Sequence, residues 1–540
     1  MRKWLPLLVL SIAMFIIVID MSVMNVAIST LVEEFDTNVT VIQTAITAYA
    51  LVSGSLMMLG AKLGDRIGRR NTLVLGAAIY GVGTTMTALS ANVYMLMFGW
   101  SVLEGIGAAL MLPTLYALAG GTYKGPDRAM AFSIIGALAG IGVAVGPIVG
   151  GWLTTNMSWR VVFAIEAVLV IVILALHRNI IDTNPKGISK NKLDLFGGLL
   201  TVLGLGLAVY ALLQAGTWGF IEPRSSPIEP FGLSLTPFVF LFGLFVLWLF
   251  VQWERFLTSR GREPLLDLTL FRDRGLTSAV SYAMIQNILL GGTVFGIPLF
   301  LQVTLGLSAF ETGVQMIPLS VAVFLASIVG AQMAVKVSPR SWVRIALVIL
   351  LAANLVLLGT IDQELSSFGF GLALALVGAG VGMMGAMLGN LGQSSVSERS
   401  RSEVGGLQNT ASSLGTSIGT ALIGAIVIAG LAASFTTLTQ LDPEIPAEVS
   451  ADIEIAMGAG VSFAPSNAVE AGLLEAGASP ELTEAVVAAY SESQLNALRV
   501  AFLATSGLVV IAFLMTGILP TTKLEDMADP DDAAPAPTEV

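Results

Sequence analysis

Long apolar runs separated by short polar ones make up most of this chain. A helix crossing a bilayer needs about 20 such residues. Fourteen stretches approach or exceed that length: 5–31, 41–59, 72–90, 93–118, 129–153, 161–176, 195–213, 235–251, 277–303, 312–335, 343–360, 368–391, 404–433 and 498–519. The pattern predicts an all-α integral membrane protein with 14 transmembrane helices. The sixth run is short, and Gly306-Leu307-Ser308 separates the ninth from the tenth. Two segments break the pattern. Residues 434–496 hold ten acids and no Lys or Arg. Within them Ser479-Pro480-Glu481 supplies an N-cap, a proline at the first helical position and an early acid, and 467–474 reads similarly. The segment is either a short amphipathic helical pair against the outer face or a solvated acidic loop. Residues 521–540, acidic and rich in Pro and Ala, read as a disordered tail.

Composition agrees with the pattern. Of 540 residues, 55% are hydrophobic and 12% charged, and mean hydropathy is +0.84. A soluble chain is about 25% charged. Placing the N-terminus inside and alternating sides leaves only Arg160, Arg224 and Arg499 outside; the other 23 of the 26 Lys and Arg fall inside. That asymmetry is the positive-inside rule, and it predicts a multi-pass protein of the plasma membrane with both termini cytoplasmic. Met1-Arg2-Lys3-Trp4 resembles the start of a signal peptide, but the run after it is too long and reads as an uncleaved first span. There is no cysteine, so no disulfide, thiolate metal site or thiol nucleophile. The single histidine, His177, ends an apolar run and reads as interfacial. No His-Glu-x-x-His and no Walker loop is present. No catalytic residue, cofactor or metal site is expected, and the chain does not read as an enzyme. The net charge of −11 argues against nucleic acid.

An internal echo divides the chain. Residues 61–70 (Ala-Lys-Leu-Gly-Asp-Arg-Ile-Gly-Arg-Arg) join spans two and three, and 330–340 join spans ten and eleven. Each is a tight loop with a small residue, a base and a closing Arg. The first half is then 1–177, an inserted hairpin with its linkers is 178–262, and the second half is 263–520, including the acidic segment. In the first loop Asp65 can cap the next helix or pair with an arginine, Gly68 permits the turn, and Arg66, Arg69 and Arg70 can reach carboxylates or helix ends. Such a cluster is either a conformational switch or an anchor of topology. In the fifth span Gly142, Gly146 and Gly150 recur every fourth residue, followed by Gly151, with Pro147 among them. Close helix contact is the first reading and a hinge the second.

Three acids lie inside apolar runs: Asp20, Glu104 and Glu166. Burying a charge there costs ~3 kcal/mol or more, so each needs a reason. Asp20 lies roughly 22 Å from the inner start of its helix, and Glu104 and Glu166 roughly 16 and 10 Å from the outer starts of theirs. No Lys or Arg sits at comparable depth. Desolvation disfavours the charged form of a carboxylate, so such groups can bind and release a proton as their access to water changes. The alternative is a protonated acid bonded to a backbone carbonyl. Asn25, Gln286 and Asn287 either line a substrate pocket or bond neighbouring helices. Asn25 is about 140° around the helix from Asp20, so both cannot face one cavity squarely.

These stretches also carry a resemblance. The chain resembles the major facilitator superfamily, and within it the fourteen-span drug/proton antiporters of the EmrB/QacA type. Asp20 and Asn25 stand in register with that family's acidic first-span motif. Residues 61–70 resemble its inner-loop signature, with Ala61 in place of glycine, and 142–151 its antiporter motif. Residues 159–165 and 263–271 are further family-like stretches. The resemblance implies two six-helix bundles plus an inserted two-helix hairpin, and export of hydrophobic or cationic compounds in exchange for protons. The partners it implies are an amphipathic or cationic small molecule, protons and membrane lipids. It also implies that the first and fourth helices of each half line a central cavity while the sixth is peripheral. The chain departs from the family twice. Ser101 stands where an arginine is usual and Glu104 where a glutamine is usual, and Glu166 replaces an asparagine. Exporters of a lipid, a metabolite or an endogenous antibiotic remain alternatives, with a transporter-like sensor or a membrane enzyme behind them.

Overall fold

A computed structural model describes residues 2–123, 126–180, 194–224, 226–262, 264–266, 268–333, 336–363, 365, 367–394, 401–459 and 463–523. All fourteen apolar stretches are helical. We number them α1 (Leu5–Val26), α2 (Val39–Ile67), α3 (Arg69–Ala88), α4 (Val93–Thr122), α5 (Pro126–Asn156), α6 (Arg160–Leu176), α7 (Leu195–Trp218), α8 (Thr236–Ser259), α9 (Arg274–Thr304), α10 (Ala309–Gln315 with Ile317–Met333), α11 (Pro339–Leu358), α12 (Ser367–Ser394), α13 (Arg401–Leu441) and α14 (Pro480–Leu514). Among the described residues, 11 helices are long and apolar enough to cross a membrane, or 12 with the two pieces of α10, which meet at 42°, taken as one span. The expected 14 is not reached on that measure: α3 does not meet it, and part of α5 lies outside the described residues to which it applies. In α3, Arg69-Arg70-Asn71 and several Gly and Thr dilute the apolar run.

Local chemistry sets the helix starts. Side-chain oxygens of Asn38, Asn92, Asp194, Asp273, Ser338 and Ser479 each accept the N–H three residues on, satisfying one orphan donor apiece. Ser308 and Glu311 form a reciprocal capping box at the start of α10. Between α2 and α3 the chain turns at Gly68, whose φ of 98° disfavours any residue with a Cβ.

Helices α1–α6 pack on one another, as do α9–α14. The halves meet along two helix pairs: α2 lies on α13, and α5 lies on α10. In each pair the second helix of one half meets the fifth of the other, the arrangement a two-fold repeat produces. Gly151 abuts the Ala309 carbonyl, and Gly313 abuts that of Pro147. Gln43 donates to the Thr420 carbonyl at 2.9 Å, and Ser417 to that of Thr47 at 3.1 Å. Ser29 donates to Gln302 at the ends of α1 and α9. The hairpin α7–α8 packs through α7 onto both α2 and α13.

The acidic segment is helical rather than an irregular loop, but of the expected pair only the helix around 467–474 stands alone; the start at Ser479-Pro480-Glu481 is that of α14 itself, and Ala447–Ala459 was not expected. Helices Ala447–Ala459 and Ser466–Glu475 lie between α13 and α14, both of which run well past the predicted 433 and 498. Phe435 and Tyr490 meet edge to face. Tyr490 and Gln494 bond the Ala464 backbone, which ties the segment to α14. The tail beyond 523 and the linker 181–193 lie outside the described residues.

Candidate functional site

One face of α3 presents Tyr80, Thr84 and Thr87, at spacings of four and three residues, which a helix places in one row. Against it packs a π-helical stretch of α4, Met97–Glu104. Such segments are rare and cluster at functional sites. Small residues permit the approach. A Cβ on Gly83 would lie 2.7 Å from the Gly99 carbonyl, and one on Gly107 2.6 Å from the Tyr80 Cβ. The π-helical stretch delivers Trp100 and Glu104 to the row, α1 delivers Asp20, and α6 delivers Glu166.

The three acids converge. One oxygen from each lies within 4.8 Å of the other two, and all three residues are buried. Neutral donors hold one oxygen of each carboxyl. The Trp100 indole donates to Asp20 Oδ1 at 2.6 Å. The single Thr87 hydroxyl proton is shared between Glu104 Oε1 at 3.0 Å and the Gly83 carbonyl at 2.9 Å. The Thr84 hydroxyl lies 3.3 Å from Glu166 Oε2 and 3.1 Å from the Phe163 carbonyl, and the Tyr80 hydroxyl reaches the same Glu166 oxygen at 3.5 Å. The second oxygens, Asp20 Oδ2, Glu104 Oε2 and Glu166 Oε1, have no hydrogen bond. Tyr49 from α2 stacks on Trp100 with centroids 5.0 Å apart. Its hydroxyl faces Asp20 without a well-formed bond.

Among the described residues no Lys or Arg side chain bonds any of the three acids. Two ionised carboxylates at this separation repel by roughly 3–4 kcal/mol at an effective dielectric of ~20. Three such charges cannot stand together without protons or a cation between them. The cluster can therefore take up and release positive charge, and its enclosure by α1, α2, α3, α4 and α6 sets it inside the first half. Glu166 on the peripheral sixth helix belongs to it as fully as Asp20.

The other predicted positions lie elsewhere. Asn25 and Asn287 donate within their own helices, to the carbonyls of Met21 and Ala283. Gln286 donates across to the Val381 carbonyl of α12 at 3.1 Å. In the turn after α2, Asp65 pairs with Arg69 at 3.5 Å, and Arg69 also donates to the Ala117 carbonyl near the end of α4. Asp65 does not cap α3, whose N-cap is Gly68 with no side-chain bond. Arg66 is exposed and Arg70 half-buried. In the echoing turn Arg340 likewise caps helix-end carbonyls, those of Gly517 and Leu519. The α5 glycines serve close packing: Gly142, Gly146 and Gly150 face Val18, Ser22 and Val23 of α1, while Gly151 and the Pro147 carbonyl face α10.

Sequence reasoning missed Trp100, Tyr49, Tyr80, Thr84 and Thr87. Their signal was spacing, Trp100 standing four residues before Glu104. It also missed Glu254, because the predicted eighth span stops at 251 whereas α8 runs to Ser259. Glu254 is fully buried and accepts the Leu266 N–H at 3.3 Å.

The family described as Major Facilitator Superfamily matches residues 10–420. The chain is 26% identical to the multidrug transporter protein MdtP of Bacillus subtilis, over 98% of this chain and 96% of that one. It is 26% identical to the tetracenomycin C resistance and export protein of Streptomyces glaucescens, over 79% and 76%. Among solved structures, a bacterial homologue of the human lysosomal transporter Spinster, inward-facing and occupied, aligns with a TM-score of 0.59 at 17% identity, over 97% of this chain and 98% of that one. A peptide transporter aligns at 0.54 and 16%, over 95% of each. These two likenesses concern the fold.

Proposed function

The chain belongs to the major facilitator superfamily and is a multi-pass membrane transporter rather than an enzyme; from that premise we propose that it exports hydrophobic or cationic compounds in exchange for protons. Relatives along most of its length are named for multidrug and antibiotic resistance or export. The observation that carries the proton role is the acid cluster. Asp20, Glu104 and Glu166 are buried together within 4.8 Å, with a bare oxygen on each. Asp20 and Glu104 hold the exchanged proton, and Glu166 shares it.

The mechanism is alternating access. Two six-helix bundles, α1–α6 and α9–α14, rock about the α2–α13 and α5–α10 contacts, with α7–α8 inserted, as in the fourteen-span EmrB/QacA type. Both termini are cytoplasmic in the plasma membrane, as the Lys and Arg asymmetry favours. The turn holding Asp65 and Arg69 is a switch between arrangements of the first bundle. Asn25, Gln286 and Asn287 each donate one amide N–H to a backbone carbonyl, which leaves their side-chain oxygens as the groups with which they would contact a substrate.

Reconstituted vesicles under an imposed pH gradient test this. Addition of a transported cationic dye should release protons from the native protein and not from Asp20→Asn. Undiminished gradient-driven export by Asp20→Asn would sink the proton role. A second reading, export of an endogenous antibiotic, is favoured by the Streptomyces relatives named for tetracenomycin C and actinorhodin. Competition between such a compound and the dye would distinguish it.

A further inference from the structure

The acid cluster has the architecture of a metal site as well as that of a proton store. In oxygen-ligand cation sites each ligating carboxylate is steered by an outer hydrogen bond and presents its remaining oxygen to the ion. Here Trp100 donates to one oxygen of Asp20, the Thr87 and Thr84 hydroxyls lie within bonding distance of one oxygen each on Glu104 and Glu166, and the second oxygen of every carboxyl has no hydrogen bond. A group outside the acids points the same way. The Tyr49 hydroxyl, on a side chain only 2% exposed, lies beside Asp20 and makes no well-formed hydrogen bond. It is a neutral oxygen donor whose burial without a well-formed bond is costly.

We propose that Asp20, Glu104, Glu166 and the Tyr49 hydroxyl form a binding site for a hard cation of sodium or calcium size, taken up in competition with the protons of the same cluster. The donor set is all oxygen, with no nitrogen or sulfur ligand, which selects hard cations over zinc or copper. Size follows from spacing. An ion centred among three oxygens that all lie within 4.8 Å of one another sits at most ~2.8 Å from each, a range that includes the 2.3–2.6 Å of calcium–oxygen bonds. Magnesium demands near-ideal octahedral geometry and keeps several waters, which a buried set of four protein oxygens does not supply. Charge agrees: a cation among three carboxyls replaces positive charge that protons otherwise supply. The titratable groups facing the site are Asp20 from α1, Tyr49 from α2, Tyr80 from α3, Glu104 from α4 and Glu166 from α6; no described residue of α5 adds one. The inference rests on the exporter reading only in treating this cluster as the coupling site, and it names a second ion for it.

Equilibrium binding of radioactive calcium and radioactive sodium to the purified full chain tests it, at several pH values. The expected result is saturable binding of one of the two cations at a single site, weakened as pH falls. Glu104→Gln should abolish it. Thr87→Val, which removes the outer hydroxyl beside Glu104 together with its contact to the Gly83 carbonyl, should weaken it by ~10-fold or more while size-exclusion behaviour stays native. Should Glu104→Gln fail to fold, Tyr49→Phe carries the same comparison, with weakened binding expected. No saturable binding of either cation overturns the site. So does binding unchanged in the folded variants, which would assign the ion to the acidic helices between α13 and α14. Substrate-driven proton release, measured in buffer free of sodium and calcium, stands apart. Proton release without cation binding defeats the cation site alone; cation binding without proton release defeats the proton-exchange reading alone.

Discussion

The indole N–H of Trp100 meets Oδ1 of Asp20 at 2.6 Å, joining α4 to α1 through a bond that is wholly buried. Stacking on Tyr49, with centroids 5.0 Å apart, fixes the indole plane. A hydrogen bond to a charged group contributes ~1.5–3 kcal/mol. Trp100→Phe keeps a ring against Tyr49 and removes the donor, together with part of the buried indole volume. Export driven by a pH gradient should fall roughly tenfold or more, the lower end of that range. Efflux of a fluorescent substrate from vesicles reads the change, and a native rate would show that the bond is dispensable.

Asp20→Asn should keep substrate binding while removing proton-driven accumulation. The amide has nearly the same shape as the acid but cannot exchange a proton in this range. Binding of a fluorescent substrate in detergent, set beside gradient-driven uptake in vesicles, separates the two. Loss of both together would point to misfolding instead.

Close backbone contact makes α5 intolerant of bulk. A Cβ on Gly146 would fall 2.4 Å from that of Ser22, and one on Gly151 would fall 2.3 Å from the Ala309 carbonyl. Gly146→Val should destabilise the first half by ~1–3 kcal/mol, seen as a lower unfolding temperature. Gly151→Ala separates α5 from α10 instead, so transport should suffer at least as much as stability.

Arg69 and Asp65 sit 3.5 Å apart with the carboxylate 41% exposed. A partly exposed pair of this kind contributes ~0–1 kcal/mol. Asp65→Asn should therefore change thermal stability by less than about 1 kcal/mol, yet slow transport if the turn is a switch. Unchanged transport would make the turn an anchor only.

The chain contains no cysteine, so paired cysteines can be introduced cleanly. Thr47→Cys with Ser417→Cys places one on each side of the α2–α13 contact, where Ser417 donates to the Thr47 carbonyl at 3.1 Å. Crosslinking should stop transport, and a reductant should restore it. Continued transport in the crosslinked protein would mean that this contact does not open.

The helices were legible because bilayer thickness demands long apolar runs, and every predicted run is a helix. Their ends were less so. At α13 and α14 the predicted spans stop where apolarity stops, but the helices continue to Leu441 and back to Pro480, held by Phe435, Tyr490 and Gln494. Glu254 escaped for the same reason: a hydropathy edge is not a helix end. The glycine row of α5 was legible as a packing surface, although its partners, α1 and α10, were not.

By itself the sequence determined that a polytopic helical protein would form and that Asp20, Glu104 and Glu166 were out of place in it, since burying a charge in hydrocarbon is costly wherever it occurs. Their convergence was decided by tertiary structure alone. Asp20 and Glu166 are separated by 146 positions, and no periodicity relates α1, α4 and α6. Three helices had to pack, with glycines at 83, 99 and 107 drawing α3 and α4 together, before the anomalies became neighbours. The same packing supplied Trp100, Thr87, Thr84 and Tyr49, ordinary residues in the sequence, whose role comes only from the oxygens they face.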